Sequence, residues 1–167
     1  MAETAKRNFV RQQGIRDADA ATCSRQYPAL MLQPRLVGIL VVLALIFQNG
    51  PFFLALSAIL WWNVAVPARN PFDALYNRLV ALPKDLPPMT PAPAPRRFAQ
   101  GMAATFMLAV GVSLLLGWHL AAWILEGLLT AALAALIFGK FCLGSYLFHL
   151  FRGDAAFANR TLPWARE

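Results

Sequence analysis

Four apolar runs, each closed by polar or helix-breaking residues, set the pattern of the chain. The first, Leu36 to Gln48, lies between Pro34-Arg35 and the turn Asn49-Gly50-Pro51, and the second runs from Phe52 to Val66 and stops at Pro67. The third runs from Phe98 to Leu116 and turns at Gly117, and the fourth runs from His119 to Gly139 and meets Lys140. Runs that are apolar on every side belong in lipid, whereas the helices of a soluble core keep one polar face. The pattern predicts an all-α polytopic membrane protein whose four transmembrane helices form two tandem hairpins.

Length tests each span. A helix needs about 20 apolar residues to cross the hydrocarbon. The first run gives only about 20 Å of helix, so it must recruit Pro28 to Leu32, thin the bilayer, or enter without fully crossing. The fourth continues apolar through FCLGSYLFHLF to Arg152. Unbroken from His119 it would reach about 50 Å, so its last third is expected to project or bend along the surface.

The expected organisation is a basic N-terminal arm (1–33), a first hairpin (34–66), a proline-rich linker (67–97), a second hairpin with a surface extension (98–151) and a tail (152–167). Lys6, Arg7, Arg11, Arg16 and Arg25 face only Glu3, Asp17 and Asp19 over residues 1–28, which predicts a surface arm without a core. That stretch also lacks the apolar segment of a cleavable signal peptide, so the mature chain is expected to begin at or near Met1. The linker reads as extended polyproline around Pro87, Pro88, Pro91, Pro93 and Pro95. Within it Phe72, Leu75, Tyr76, Leu79 and Val80 have the spacing of a surface helix.

Composition sharpens the placement. Hydrophobic residues make up 59% of the chain, above the roughly 45–50% of soluble domains. The net charge of +7 comes from Lys and Arg outside the spans and away from the two hairpin tips. That distribution puts both termini in the cytoplasm, and it reads as membrane orientation with no nucleic-acid partner. The two hairpins also echo each other: PRLVGILVVLALIF with QNGPFFLALSAILWW, then PRRFAQGMAATFMLAV with LLGWHLAAWILEG. Repetition of two-span units would give a parallel repeat about the membrane normal.

The candidate chemistry is sparse. Glu126 is the one acid inside a span, where an ionised carboxylate needs a partner. The expected solutions are protonation, or hydrogen bonds to Thr130 one turn away and to Ser57 or Ser113 on neighbouring helices, with a proton or ion path as the functional alternative. Cys142 lacks a Cys-x-x-Cys mate, and Cys23 falls on the same reducing side, so no structural disulfide is expected. Tyr146 and His149 would share a helical face with Cys142, but too far along the axis for a thiol–imidazole pair. His119 at the outer turn has no second ligand at metal spacing and reads as an interfacial residue; no metal site is expected. Gly101, Ala104 and Gly111 on the third helix, and Gly127, Ala131 and Ala135 on the fourth, read as positions of close helix packing.

Two segments carry a family resemblance: Pro95, Arg96, Arg97, Phe98, Ala99, Gln100 and Gly101, and Phe141, Cys142, Leu143, Gly144, Ser145 and Tyr146. The chain resembles, over most of residues 33–152, a bacterial membrane family catalogued as domain of unknown function 4395. The resemblance implies a four-helix domain of the bacterial inner membrane and no established activity. Many relatives carry Cys-Leu-Gly-Cys where this chain has Cys142, Leu143, Gly144 and Ser145, a departure that breaks any dithiol role.

The functional expectation is a non-catalytic accessory or structural subunit of a larger membrane assembly, such as a bioenergetic complex. Arm, linker and tail are too polar to fold alone, so a partner surface would have to order them. Its partners would be the bilayer and other membrane subunits, with contacts at Pro87, Pro91, Pro95, Arg96, Arg97 and the basic arm. No cofactor is expected beyond lipid or pigment contacts. The rivals are a thiol-redox or sulfur-handling protein using Cys142 and a small transporter using Glu126.

Overall fold

The computed structural model describes residues 2–16 and 19–165, so Asp17 and Arg166 lie outside it. The elements are α1 (Ala2–Gln12), α2 (Ala20–Ile46), α3 (Gly50–Ala65), α4 (Pro71–Tyr76), α5 (Ala94–Leu115), α6 (His119–Ile137), α7 (Leu143–Phe151) and α8 (Ala155–Arg160). Among the described residues there is no strand.

Local chemistry places the ends. Asp19 caps α2 by accepting from Thr22 N at 2.7 Å. Asn49 caps α3 by accepting from Phe52 N at 2.9 Å, with Pro51 in the first turn, where its missing N–H costs nothing. Asn70 caps α4 through Phe72 N and Asp73 N. Gln48 and Lys140, at φ 44° and 54°, adopt the left-handed conformation just past the ends of α2 and α6.

Three helices are long and apolar enough to cross a membrane: α2, α5 and α6. The expected weak span was the first, yet α2 is the longest helix, with 27 residues or about 40 Å. It passes through Pro28 and Pro34 without ending. The helix that falls short is α3, whose 16 residues span about 24 Å. The domain borders drawn at 33/34 and 97/98 fall inside α2 and α5, where Gln33, Arg96 and Gln100 are buried rather than marking a surface.

The main core joins Val37, Val41 and Ala44 of α2, Phe53, Leu56 and Leu60 of α3, Ala104, Met107 and Val110 of α5, and Leu129 of α6. The most extensive helix contact links the two hairpins, α3 against α5. Glycines permit it: a Cβ on Gly111 would lie 2.8 Å from Leu54 Cδ2 and 3.0 Å from Gly50 O. Ala104 and Gly111 thus pack as expected. On α6, Gly127 has open space around it and Ala131 is exposed, so that row faces outward, and α6 does not pack through it.

The N-terminal segment corrects the expectation of a coreless arm. Phe9 and Val10 of α1 are fully buried with Cys23, Leu30, Met31 and Cys142 in a second apolar cluster. Asn8 Nδ2 donates to Leu162 O at 2.8 Å, so α1 also holds the C-terminal tail. The end segments pack on one another. The extension after α6 neither projects nor continues: it breaks over residues 138–142 and returns as α7, packed on α5.

The linker is divided. Residues 86–93 carry no helix, consistent with extended polyproline, whereas 71–84 coil through α4, a π turn (Asn77–Ala81) and a 3-10 turn (Leu82–Lys84). Tyr76 and Ala81 are buried with Ala29 of α2, while Leu75 and Leu79 face out.

Candidate functional site

A buried polar network closes one end of the bundle. Arg96, near the start of α5, makes a bidentate ion pair with Asp73 of α4, with NH2 to Oδ1 at 2.6 Å and NH1 to Oδ2 at 3.1 Å. Their side chains are only 6% and 10% exposed. Arg96 NH2 also donates to Gln33 Oε1 of α2 at 2.9 Å, and Gln100 Nε2 donates to the same oxygen at 2.9 Å. Asn70 Nδ2 approaches it at 3.4 Å. α2, α4 and α5 are therefore tied at one point by charge-assisted bonds, the strong class.

Beside it the two motif segments meet. Gly144 of α7 faces Ala99 of α5 so closely that a Cβ would sit 2.6 Å from Ala99 Cα. Ser145 Oγ lies 3.3 Å from both Pro95 O and Cys142 Sγ, and its single proton serves one at a time. Phe98 packs on Phe148 and Phe151, and Phe141 on Tyr146, whose hydroxyl bonds Asn159 Oδ1 at 3.0 Å. Arg97 donates through Nε and NH2 to Val64 O, at 3.1 and 2.8 Å, capping the C-terminal end of α3.

Gln12 of α1 locks this junction from the other side. Its Oε1 accepts from Cys142 N at 2.9 Å, and its backbone carbonyl lies 3.1 Å from His149 Nε2. A carbonyl only accepts, so Nε2 carries the proton. His149 stands edge-on to Phe157 at 4.8 Å. Cys142 is 5% exposed and is a member of the second apolar cluster, an environment for a packed thiol rather than an exposed nucleophile.

Between the network and the main core lies a cavity of about 250 Å³. Gln33, Arg96, Gln100 and Cys142 line its polar end, while Val37, Leu60, Phe106, Leu129, Leu133 and Leu136 line the rest.

At the opposite end of the bundle Glu126 is buried on α6 and is met by Gln48, whose Nε2 lies 3.2 Å from both carboxylate oxygens and 2.9 Å from Leu45 O. The expected partners are elsewhere. Ser57 Oγ donates to Ala104 O at 2.8 Å, Thr130 is exposed, and Ser113 is buried in α5. The carboxamide of Gln48, an exposed residue, meets the buried carboxyl group without a serine relay. His119 is exposed and stacks loosely on Trp123. Among the described residues no His, Cys, Asp and Glu side chains cluster as metal ligands would.

Of the residues expected at a partner surface, Pro87 and Pro91 are exposed, whereas Pro95 and Arg96 are buried and Arg97 caps α3. Two charges in that row are thus internal, because helix ends and a buried acid claim them first. The sequence reading missed Gln12, Gln33, Gln48, Asn70 and Asp73. Their signal was present for Gln33, a lone carboxamide between apolar Leu32 and Pro34, and for Gln48, adjoining the same end of the bundle as Glu126.

No curated protein and no solved structure matches the chain. The family model described as domain of unknown function DUF4395 matches residues 28–152. That stretch takes in the Arg96–Asp73 network, the cavity walls and the α5–α7 junction, and it leaves out α1 and α8. On a match covering most of its length, the chain belongs to the DUF4395 family.

Proposed function

We propose that the chain is a non-catalytic integral membrane protein, an accessory or structural subunit of a larger assembly in the bacterial inner membrane. In this reading it crosses four times as two hairpins, with both termini in the cytoplasm. The observation that carries the subunit role is α3. Its 16 residues give about 24 Å against a hydrocarbon thickness of about 30 Å, yet the face turned away from α5 exposes Ile59, Trp61 and Trp62. A short span with an exposed apolar face is matched by thinning the bilayer or by associating with another protein. Exposed Pro87 and Pro91 offer such a neighbour an ordered, low-entropy surface.

The internal placement of the polar groups supports a scaffold over the rivals. Cys142 is packed and hydrogen-bonded, and Glu126 is held by Gln48. Extraction in mild detergent followed by native electrophoresis and mass spectrometry tests the reading. A co-migrating membrane protein, with proteolysis at Pro87–Pro91 suppressed in the native complex, is the expected result. A lone monomer with equal protease sensitivity in both settings would refute it.

A further inference from the structure

The geometry points to a ligand site: we propose that the cavity between α2, α5 and α6 binds a neutral, long-chain lipid through a hydroxyl headgroup. Three observations define the ligand. The first is shape. A volume of about 250 Å³ lies just below the roughly 300–1,000 Å³ of sites that enclose a small molecule, so it takes one end of a longer one. Leu128 and Leu143, which line it, are 54% and 40% exposed, so the lining runs out to the lipid-facing surface and the chain leaves by that route. Walls of Val, Leu, Ala and Phe do not hold water favourably.

The second is charge. The cationic group at the polar end, Arg96, is neutralised by Asp73 in a bidentate pair, and a neutral pair gives no attraction to an ionic headgroup.

The third is the direction of the hydrogen bonds. Arg96 can only donate, so the Gln33 atom facing it at 2.9 Å is the oxygen. The Gln100 atom that meets that same oxygen must then be Nε2. This fixes the free end of the Gln100 amide as Oε1, which is buried without a hydrogen-bond partner in a residue that is 7% exposed and lines the cavity. A buried acceptor at the polar end selects a donor. An alcohol supplies one, a carboxylate repels the oxygen, and a hydrocarbon leaves it unmet.

The test is competition for labelled hexadecanol on the full-length protein in detergent micelles, against unlabelled hexadecanol, palmitate and hexadecane. Satisfying one buried acceptor gives about a tenfold preference, so the alcohol should compete about tenfold better than either other probe. Gln100→Leu should reduce the alcohol to the level of hexadecane. Ala132→Phe, which fills the cavity from α6 without touching the network, should abolish binding of all three and keeps the test decisive if Gln100→Leu does not fold. Equal competition by palmitate or hexadecane would overturn the proposal, as would unchanged hexadecanol binding in Ala132→Phe.

Discussion

Removing Asp73 should be the most damaging single change in the polar network. The pair it forms with Arg96 is bidentate, at 2.6 and 3.1 Å, and both side chains are at most 10% exposed. At an effective dielectric of about 20, unit charges about 3 Å apart attract by roughly 5 kcal/mol. Loss of hydration offsets several kcal/mol for each ion, so the intact pair is worth little more than well-packed apolar residues of the same volume. A single deletion is different. Asp73→Leu leaves Arg96 buried with Gln33 as its remaining partner, and a stranded charge costs about 3–5 kcal/mol. Arg96→Met strands the carboxylate of Asp73 but leaves Gln33 Oε1 with Gln100 and Asn70, so its cost falls at the lower end of that range. The double variant Asp73→Leu/Arg96→Met should recover most of the loss. Reversible unfolding in mixed micelles by sodium dodecyl sulfate titration reads all four proteins, and the double-mutant cycle gives the coupling. A coupling below about 1 kcal/mol, with the two single losses simply adding, would show the pair to be solvated and would refute the reasoning.

Gly144→Ala should destabilise by about 1–3 kcal/mol despite the better helix propensity of alanine, because the new Cβ meets Ala99 Cα at 2.6 Å; micellar unfolding measures it, and an unchanged or raised stability would contradict the packing. Hydrogen bonds from the Thr22 hydroxyl, then from its backbone N–H, hold the Asp19 carboxyl below the ordinary carboxylate range. Its folded pKa being the lower one, the cap is present above the unfolded carboxylate pKa and lost as pH falls through the depressed value, so amide protection at Thr22 and Cys23, measured against the intrinsic exchange rate at each pH, should fall in acid and Asp19→Asn should flatten that dependence. Glu126→Gln should leave assembly and stability within about 1 kcal/mol, since a carboxamide oxygen still accepts from Gln48; loss of function at normal expression would favour the transporter. With Cys23 and Cys142 both buried, Leu116→Cys at the exposed turn should be labelled by an impermeant maleimide in intact cells, and labelling only in inverted vesicles would reverse the orientation.

The long apolar helices were legible because a run that is apolar on every side imposes one condition on each of its residues. All four apolar runs lie in helices to within two residues at their C-terminal ends, and those ends fall close to Asn49, Pro67, Gly117 and Lys140, where capping and backbone chemistry is local. The first run is completed by Pro28–Leu32, one of the three expected ways, but Pro34-Arg35, read as its end, lies inside the helix together with the polar Gln33. Gln33 is met there by Arg96 and Gln100 from 63 and 67 positions away. α1 was unreadable for the same reason. Phe9 and Val10 are its main apolar anchors, and what covers them includes Cys142, far along the chain. Glu126 was found, but its partner was sought among hydroxyls on helices. Gln48 reaches it from the left-handed position past the end of α2, a place where side-chain direction follows from backbone geometry rather than helical spacing.

The meeting of the two motif segments follows from hairpin arithmetic. α5 and α6 have 22 and 19 residues, about 33 and 29 Å of helix. A tight turn at Gly117, φ 73°, lays them side by side with their far ends within a few ångströms in height. The first turns of α5 must therefore lie beside whatever follows α6, and those positions are Pro95–Gly101 and Phe141–Tyr146. The left-handed Lys140, φ 54°, ends α6 and turns the chain back over α5. Gly144 then lets α7 approach Ala99 to backbone contact. The approach brings Cys142 and Leu143 into the cavity lining with Arg96 and Gln100, which face Gln33. Lengthening the 94–115 helix by one residue would rotate Arg96 by about 100° away from Asp73 and separate the ion pair from the glycine contact. The polar network and the packing contact are thus two readings of one helix length.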